Sequence, residues 1–161
     1  MLLIGVAALM ATFAMPIARW RTGEIRVPPL SLLPAGAAPQ AGARIWVDTD
    51  AACGVNDRID PDDCFALLAL AHARNLRIAG ISTVFGNAEL DETDAITREL
   101  VAQLSQEGFA LPAVHRGSAA AIDRSDALSP SLAVSALRAA LEKESLTIVA
   151  LGPLTNIALA L

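Results

Sequence analysis

The sequence predicts a doubly wound α/β fold with a mostly parallel sheet, because three features coincide. From residue 44 onward, short runs rich in β-branched residues alternate with longer segments of helical character. These runs are apolar at nearly every position, which is typical of parallel strands that helices cover on both faces. Glycine follows two of the runs, at Gly86 and Gly152, where the chain turns toward the next helix.

The first predicted strand, at 44–49, is an apolar run that ends in aspartates. A helix is predicted at 61–74, because an apolar segment there follows good helix-start residues. Asp60 suits the N-cap, and Pro61 suits the first helical position, where a missing backbone N–H costs nothing.

The second predicted strand, at 77–84, is short and β-branched. The helix predicted at 91–107 rests on apolar residues spaced to lie on one face. That face is formed by Ile96, Leu100, Val101 and Leu104.

The rest of the pattern contains a short extended piece at 112–115, a helix at 131–143 and a β-branched strand at 146–151. A last helix begins at Pro153, again with proline in the first turn. It stops within an apolar run without a capping residue, so we expect it to pack against something that follows it.

Composition excludes one class of partner. The 161 residues carry a formal net charge of −5, with a pI near 4.9. No basic cluster is present, and the chain has no tyrosine and only 4% aromatic residues. A nucleic-acid surface needs basic patches and stacking platforms, so no nucleic-acid partner is expected.

The chain divides into three predicted regions. Residues 1–18 are almost wholly apolar, and Arg19 and Arg21 follow them, so 1–21 is interpreted as a signal peptide or a membrane anchor. Export and membrane association through 1–18 both stay open, as does the side of the membrane, because arginines after the segment favour a cytoplasmic C-terminal side. Residues 22–43 are a Pro/Ala/Gly-rich linker, and 44–161 are the folded part.

Acidic residues mark the candidate site. Asp48 and Asp50 project to one side of the first strand where it ends, and ligands of open α/β sheets bind at that edge. Asp62 and Asp63 open the following helix. Helix capping and the helix dipole alone would explain the second pair, but aspartate is disfavoured in strands. Converging carboxylates favour a hard cation, Ca²⁺ or Mg²⁺, or a polyhydroxyl ligand.

Two smaller features lie beside these acids. Cys53 and Cys64 flank the acidic loop and are interpreted either as a disulfide or as two small thiols. Asn87 lies in a Gly-Asn turn after the second strand; either the turn alone explains it, or its amide binds a sugar hydroxyl. His72 and His115 lack metal-ligand spacing and are expected to be structural or exposed.

In this order the motifs resemble the inosine–uridine-preferring nucleoside hydrolase family, with its strand ending Asp-x-Asp, its Asp-Asp helix start, its Gly-Asn turn and its Gly-Pro-Leu-Thr-Asn segment. The resemblance covers residues 44–161. It rests on Asp48-Thr-Asp50, Asp62-Asp63-Cys-Phe-Ala-Leu67, Thr83-Val-Phe-Gly-Asn87, Pro112-Ala-Val-His-Arg-Gly117 and Ala150-Leu-Gly-Pro-Leu-Thr-Asn-Ile-Ala158. It implies a Rossmann-like nucleoside hydrolase fold and Ca²⁺-dependent hydrolysis of ribonucleosides to base and ribose.

The resemblance also implies roles for individual residues. Asp50 resembles the family's calcium ligand that acts as general base, and Asp63 resembles a second calcium ligand. Asp62 and Asn87 resemble contacts to the ribose hydroxyls. Leu151 falls where the family offers a backbone carbonyl to calcium, and Asp48 is a supporting residue.

The chain departs from the family pattern in two ways. A longer segment, 51–61, replaces the compact spacer between Asp50 and Asp62. The chain also stops where the family pattern is about half complete, so the resemblance implies that 161 residues alone do not turn over nucleosides. The alternatives are a membrane-tethered pseudoenzyme, or a ribose- or metal-binding module without turnover. Formation of a homo-oligomer and the base preference are left open.

Overall fold

The computed structural model describes residues 42–54, 60–122 and 130–161. Within these ranges the chain forms a four-stranded, all-parallel sheet in the order β3-β2-β1-β4. The elements along the chain are β1 (Ala43–Thr49), α1 (Asp62–His72), β2 (Leu76–Thr83), α2 (Leu90–Gln106), β3 (Val114–His115), α3 (Leu132–Lys143), β4 (Thr147–Ala150) and α4 (Thr155–Ala160). The prediction of an α/β fold with a parallel sheet is confirmed.

Strand β1 is the element that organises this sheet. It lies between β2 and β4, and its residues from Ile45 onward are buried. The core packs around it from both neighbouring strands and from the helices. The buried residues of this core are Ile45, Val47, Leu67, Ile81, Val101 and Val114. Side chains at the carboxyl end of β1 therefore leave the strand inside the protein, away from solvent.

The pairing of β1 with β2 contains one register shift. Ile45 pairs with Ile78, but the next residue, Trp46, pairs with Gly80. A Cβ atom at position 80 would overlap the ring of Trp46, so only glycine leaves room for the buried indole there. The shift brings Asp48 opposite Ser82.

Helices connect the strands as crossovers, and α1 packs on α2 while α3 packs on α4. The Ser131 side chain caps α3 by accepting a hydrogen bond from the backbone N–H of Val134. The predicted capping of α1 by Asp60 was wrong. Pro61 occupies the N-cap position without a side-chain bond, and Asp60, one residue earlier, forms a backbone bridge with Ala52.

The regions predicted at 1–21 and at most of 22–43 lie outside the described residues, so the anchor, signal and linker stay predictions. Across 42–54, 60–122 and 130–161, the helices are each too short or too polar to span a bilayer.

Candidate functional site

Three carboxyl groups converge at the carboxyl end of β1. Asp48 leads into Thr49 and the strand end, and Asp50 follows directly. Asp63 comes from the first turn of α1. Their side chains are 0%, 4% and 3% exposed, respectively. Burying three acids together is costly unless hydrogen bonds or a cation compensate them, so this edge is the candidate site.

Asp63 is docked onto the strand end by two hydrogen bonds. The Thr49 hydroxyl donates to Asp63 Oδ2 at 2.5 Å, and the backbone N–H of Asp50 donates to the same oxygen at 3.0 Å. Despite the long segment between Asp50 and Asp62, the helix start thus returns to the acidic pair on β1.

A disulfide closes the same segment. The sulfurs of Cys53 and Cys64 are bonded, with their Cα atoms 6.3 Å apart. Of the two interpretations of these cysteines, the structure has the disulfide. Because Cys64 follows Asp63, the bond ties the chain just after Asp50 to the helix turn that carries Asp63.

Asp50 lies in a pocket made mostly of backbone. Its Oδ2 accepts a hydrogen bond of 2.8 Å from the backbone N–H of Asn87. A Cβ atom at Gly152 would lie 2.8 Å from Asp50 Oδ1, and one at Gly86 would overlap Oδ2. Glycine at both positions lets two turns close around the carboxylate, as a site with close backbone approach requires.

Asp48 belongs to a buried hydrogen-bond network. Its Oδ1 accepts from the Ser82 hydroxyl at 2.5 Å and from Asn156 Nδ2 at 2.9 Å. The Ser82 hydroxyl in turn accepts from the indole N–H of Trp46 at 2.8 Å. The network ties β1, β2 and α4 together behind the acidic edge.

The pKa values of two of the acids are raised. Burial raises the pKa of Asp48 to about 6, although hydrogen bonds from Ser82 and Asn156 oppose the rise. Burial also raises the pKa of Asp63 to about 6; the Thr49 hydrogen bond opposes this, and the charge of Asp50 adds to it. In both residues, burial disfavours the charged carboxylate by more than the hydrogen bonds favour it.

The remaining predicted site residues lie around these acids. The backbone N–H of Leu151 donates to the carbonyl of Asp48 at 2.8 Å, so the turn after β4 meets the end of β1, while the Leu151 side chain packs on the core. Asn87 is exposed beside Asp50. Asp62 is also exposed, and its Oδ1 accepts from the backbone N–H of Asp63 at 2.9 Å.

Oxygen chemistry at this edge suits a hard cation. Asp48 Oδ2 and Asp50 Oδ1 are buried, and no donor among the described residues reaches either of them. A buried carboxyl group with one oxygen lacking a donor is stabilised either by a bound proton or by positive charge nearby, and carboxylate and carbonyl oxygens are the ligands that calcium takes. Within the described ranges no group of three or more His, Cys, Asp or Glu side chains is arranged so that it could hold a metal ion. Asp63 Oδ2 and Asp50 Oδ2 accept hydrogen bonds from backbone and hydroxyl donors. Two carboxylate oxygens therefore remain that a cation could engage, and further oxygen ligands would have to complete its coordination shell.

Sequence reasoning missed several polar residues that hold this edge. Thr49, Ser82 and Asn156 are fully buried and bond directly to the predicted acids. Asp94 lies in the helix predicted at 91–107 and was not among the predicted site residues. It is buried, accepts from the Thr83 hydroxyl at 2.9 Å, and pairs with Arg98 at 2.8 Å. A threonine or serine in a buried strand was the available signal, since such hydroxyls require partners.

Comparison with known proteins identifies relatives. The model of the inosine-uridine preferring nucleoside hydrolase family matches residues 45–161. Among curated proteins, none matches the sequence. Among solved structures, the chain is similar to a plant nucleoside hydrolase, the PpNRh1 enzyme, with a TM-score of 0.57 and 22% sequence identity. The similarity covers 76% of this chain and 42% of that one, so the chain spans less than half of the plant enzyme's length.

Proposed function

The chain belongs to the inosine-uridine preferring nucleoside hydrolase family, and from that premise we propose that it serves Ca²⁺-dependent hydrolysis of ribonucleosides to free base and ribose. The observation that carries the proposal is the pair of buried, donor-free carboxylate oxygens on Asp48 and Asp50. They lie at the carboxyl end of a parallel strand, where open α/β sheets bind their ligands.

The proposed cation ligands are Asp50, Asp63 and the backbone carbonyl of Leu151, with Asp48 supporting them. When bound, calcium would supply positive charge that offsets these carboxylates and would orient a water molecule. Asp48 is assigned a supporting role because its Oδ1 already accepts hydrogen bonds from Ser82 and Asn156.

In the proposed reaction, a water oxygen bonds to the anomeric carbon while the bond from that carbon to the base nitrogen breaks. Asp50 accepts a proton from the water, and the base leaves with the bonding electron pair and takes up a proton from the solvent. Asp50 afterwards returns its proton to the solvent, so the net reaction consumes one water molecule. The sugar passes through an oxocarbenium-like state, which buried carboxylates stabilise electrostatically. The Asn87 backbone N–H, at 2.8 Å from Asp50 Oδ2, fixes that carboxylate for proton transfer.

Asp62 and Asn87 are proposed to bind the ribose hydroxyls. Both side chains are exposed at the rim of the buried acids, so a sugar can reach them. A site built from such hydrogen bonds rejects a sugar that lacks the matching hydroxyl, because its polar groups then stay unpaired. We therefore propose ribonucleosides rather than 2′-deoxyribonucleosides as the substrate class.

The test is release of free ribose from inosine and uridine, with Ca²⁺ and with a chelator, by this chain joined to the C-terminal half of a nucleoside hydrolase, because the 161 residues alone are expected not to turn over nucleosides. Asp50→Asn should abolish release, whereas Asp91→Asn, the same change at a largely exposed side chain, should not. Release that needs Ca²⁺ and Asp50 supports the hydrolase. Binding of Ca²⁺ and ribose without release would instead favour the binding module without turnover. A protein that neither binds Ca²⁺ and ribose nor releases ribose would overturn both the hydrolase and the binding module.

A further inference from the structure

We propose that Asn156 is a positioning residue that aligns the acidic side of this site with its ribose side. The inference rests on the proposed function. It assigns to the buried side-chain amide of Asn156 the coupling between the acidic side and the ribose side of the site. Asn156 is 0% exposed, although it lies near the start of the short helix α4. A buried amide that touches no ligand needs partners for all its donors and acceptors.

All of those partners are present. The Nδ2 group donates to Asp48 Oδ1 and to the carbonyl of Thr83, each at 2.9 Å. The Oδ1 atom accepts from the backbone N–H and from the hydroxyl of Ser118, each at 2.9 Å. Because a backbone N–H can only donate, it fixes the orientation of the amide. One side chain thus joins the ends of β1 and β2 to the loop after β3.

On the acidic side, Asn156 acts through Asp48. Both donors of that carboxylate, Ser82 and Asn156, reach Oδ1, and Oδ2 stays without a donor. The backbone carbonyl of Asp48 accepts from Leu151. Fixing Asp48 therefore fixes the strand end from which Asp50 and the Leu151 turn approach the proposed cation.

On the ribose side, Asn156 acts through Ser118. The carbonyl of Ser118 accepts a hydrogen bond of 3.1 Å from the backbone N–H of Phe85, two residues before Asn87. The backbone and the Asn156 side chain are closely packed here, since a Cβ atom at Gly117 would lie 2.6 Å from Asn156 Oδ1. The loop that presents Asn87 is held from Ser118 on one side and by Asp50 on the other.

The test is a double-mutant cycle on ribose affinity in the presence of Ca²⁺, measured by calorimetry on the full chain. Its four proteins are the parent, Asn156→Ala, Asn87→Ala and the double variant. If Asn156 positions Asn87, each single change weakens ribose binding roughly tenfold and the double change weakens it little further, as for residues that share a network. Asn75→Ala, at an exposed turn, is the matched control and should bind like the parent.

A merely structural role gives a different pattern. Asn156→Ala would then lower thermal stability, and the double variant would bind ribose more weakly by the product of the losses seen in Asn156→Ala and Asn87→Ala. That outcome overturns the inference. Parent protein that binds neither Ca²⁺ nor ribose would overturn the proposed function itself. Parent protein that binds both, together with an Asn156→Ala variant that binds them equally well, would overturn the positioning role alone.

If Asn156→Ala does not fold, the variant Ser118→Ala tests whether Asn156 positions the Asn87 loop. It removes only the hydroxyl bond to Asn156 Oδ1 at a partly exposed position. We expect ribose affinity to fall about threefold, the size of one modest hydrogen bond, while Ca²⁺ affinity stays unchanged. Equal ribose affinity in Ser118→Ala and the parent would contradict the connection through the loop.

Discussion

The Thr49 hydroxyl donates a hydrogen bond of 2.5 Å to Asp63 Oδ2 across fourteen residues of sequence. Together with the backbone N–H of Asp50, it satisfies an oxygen that would otherwise be a buried, unpaired acceptor. The bond joins the end of β1 to the start of α1, and the acidic edge depends on that junction.

Replacing Thr49 by valine should therefore destabilise the protein. The change keeps the shape of the side chain but leaves Asp63 Oδ2 with one donor fewer, at a cost of about 1–3 kcal/mol. Chemical denaturation measures the difference. Thr147→Val, the same substitution at an exposed position of β4, is the control and should change stability by less than about 0.5 kcal/mol. Equal effects of the two changes would contradict the prediction.

The metal-free protein should become less stable as the pH rises through the window from 3.8 to about 6. In that window folded Asp48 still binds a proton, whereas unfolded Asp48, with its ordinary pKa, has lost it. A shift of roughly two pKa units at 1.36 kcal/mol each corresponds to about 3 kcal/mol from Asp48. Unfolding in urea with chelator present should thus show lower stability at about pH 8 than at about pH 5.

Asp48→Asn is the variant that isolates this effect. It removes the titrating group, so the loss of stability between these two pH values should shrink. Ca²⁺ should also reduce the loss, because it binds the ionised carboxylates. A parent protein whose stability rises with pH in chelator would disprove the assignment.

Reduction of the Cys53–Cys64 disulfide should destabilise the fold. The bond links residues eleven apart in sequence, and the loop-entropy relation gives about 3 kcal/mol for a loop of that size. Denaturation with and without a dithiol reductant measures it. Cys53→Ser/Cys64→Ser should show the reduced stability from the start and should not respond to the reductant. A parent protein equally stable in both conditions would rule out the contribution.

Asp94 should stabilise the protein at neutral pH and lose that effect in acid. Burial raises the pKa of this carboxyl, but hydrogen bonds from Arg98 and Thr83, with the charges of Arg98 and Arg116, outweigh it and leave the pKa lowered. Stability from a lowered pKa is present above the ordinary value of 3.8 and is lost as the pH falls below it.

Asp94→Asn should therefore cost about 1–3 kcal/mol at neutral pH, with a smaller difference from the parent in acid. Asp91→Asn alters the neighbouring, exposed carboxylate that also pairs with Arg116. An exposed pair contributes little, so that variant should change stability by less than about 1 kcal/mol. A difference for Asp94→Asn that does not vary with pH would count against the charge-based explanation.

The elements of this fold could be predicted from the sequence, and the contacts at its site only in part. Apolar runs and helical spacing are local, and they gave β1 and α2 within a residue of their observed bounds. The acids at the end of β1 were found because aspartate after an apolar strand is unusual. Their partners are distant in sequence: Asn156 reaches Asp48 across 108 residues. No local pattern specifies which buried hydroxyl or amide faces which carboxylate.

The capping of α1 shows how local rules can fail. Asp60 before Pro61 is a good helix start by composition, yet Asp60 instead bridges to Ala52, and Pro61 takes the N-cap position. Helix α1 therefore begins one residue later than its composition predicts. Local preference placed the start of the helix to within one residue but did not identify its N-cap residue.

The register shift between β1 and β2 makes the site sensitive to chain length as well as to residue type. Because Trp46 faces Gly80 rather than Ala79, Ser82 falls opposite Asp48. Ala79 is the unpaired residue at this shift, so its deletion would leave Gly80 on Trp46 and Ser82 on Asp48. Successive strand residues point to opposite faces, so deleting Ile81, which lies past the shift, would turn the later side chains of β2 around and move Ser82 away from Asp48. Among homologues, insertions and deletions between Gly80 and Ser82 should therefore be rarer than substitutions there.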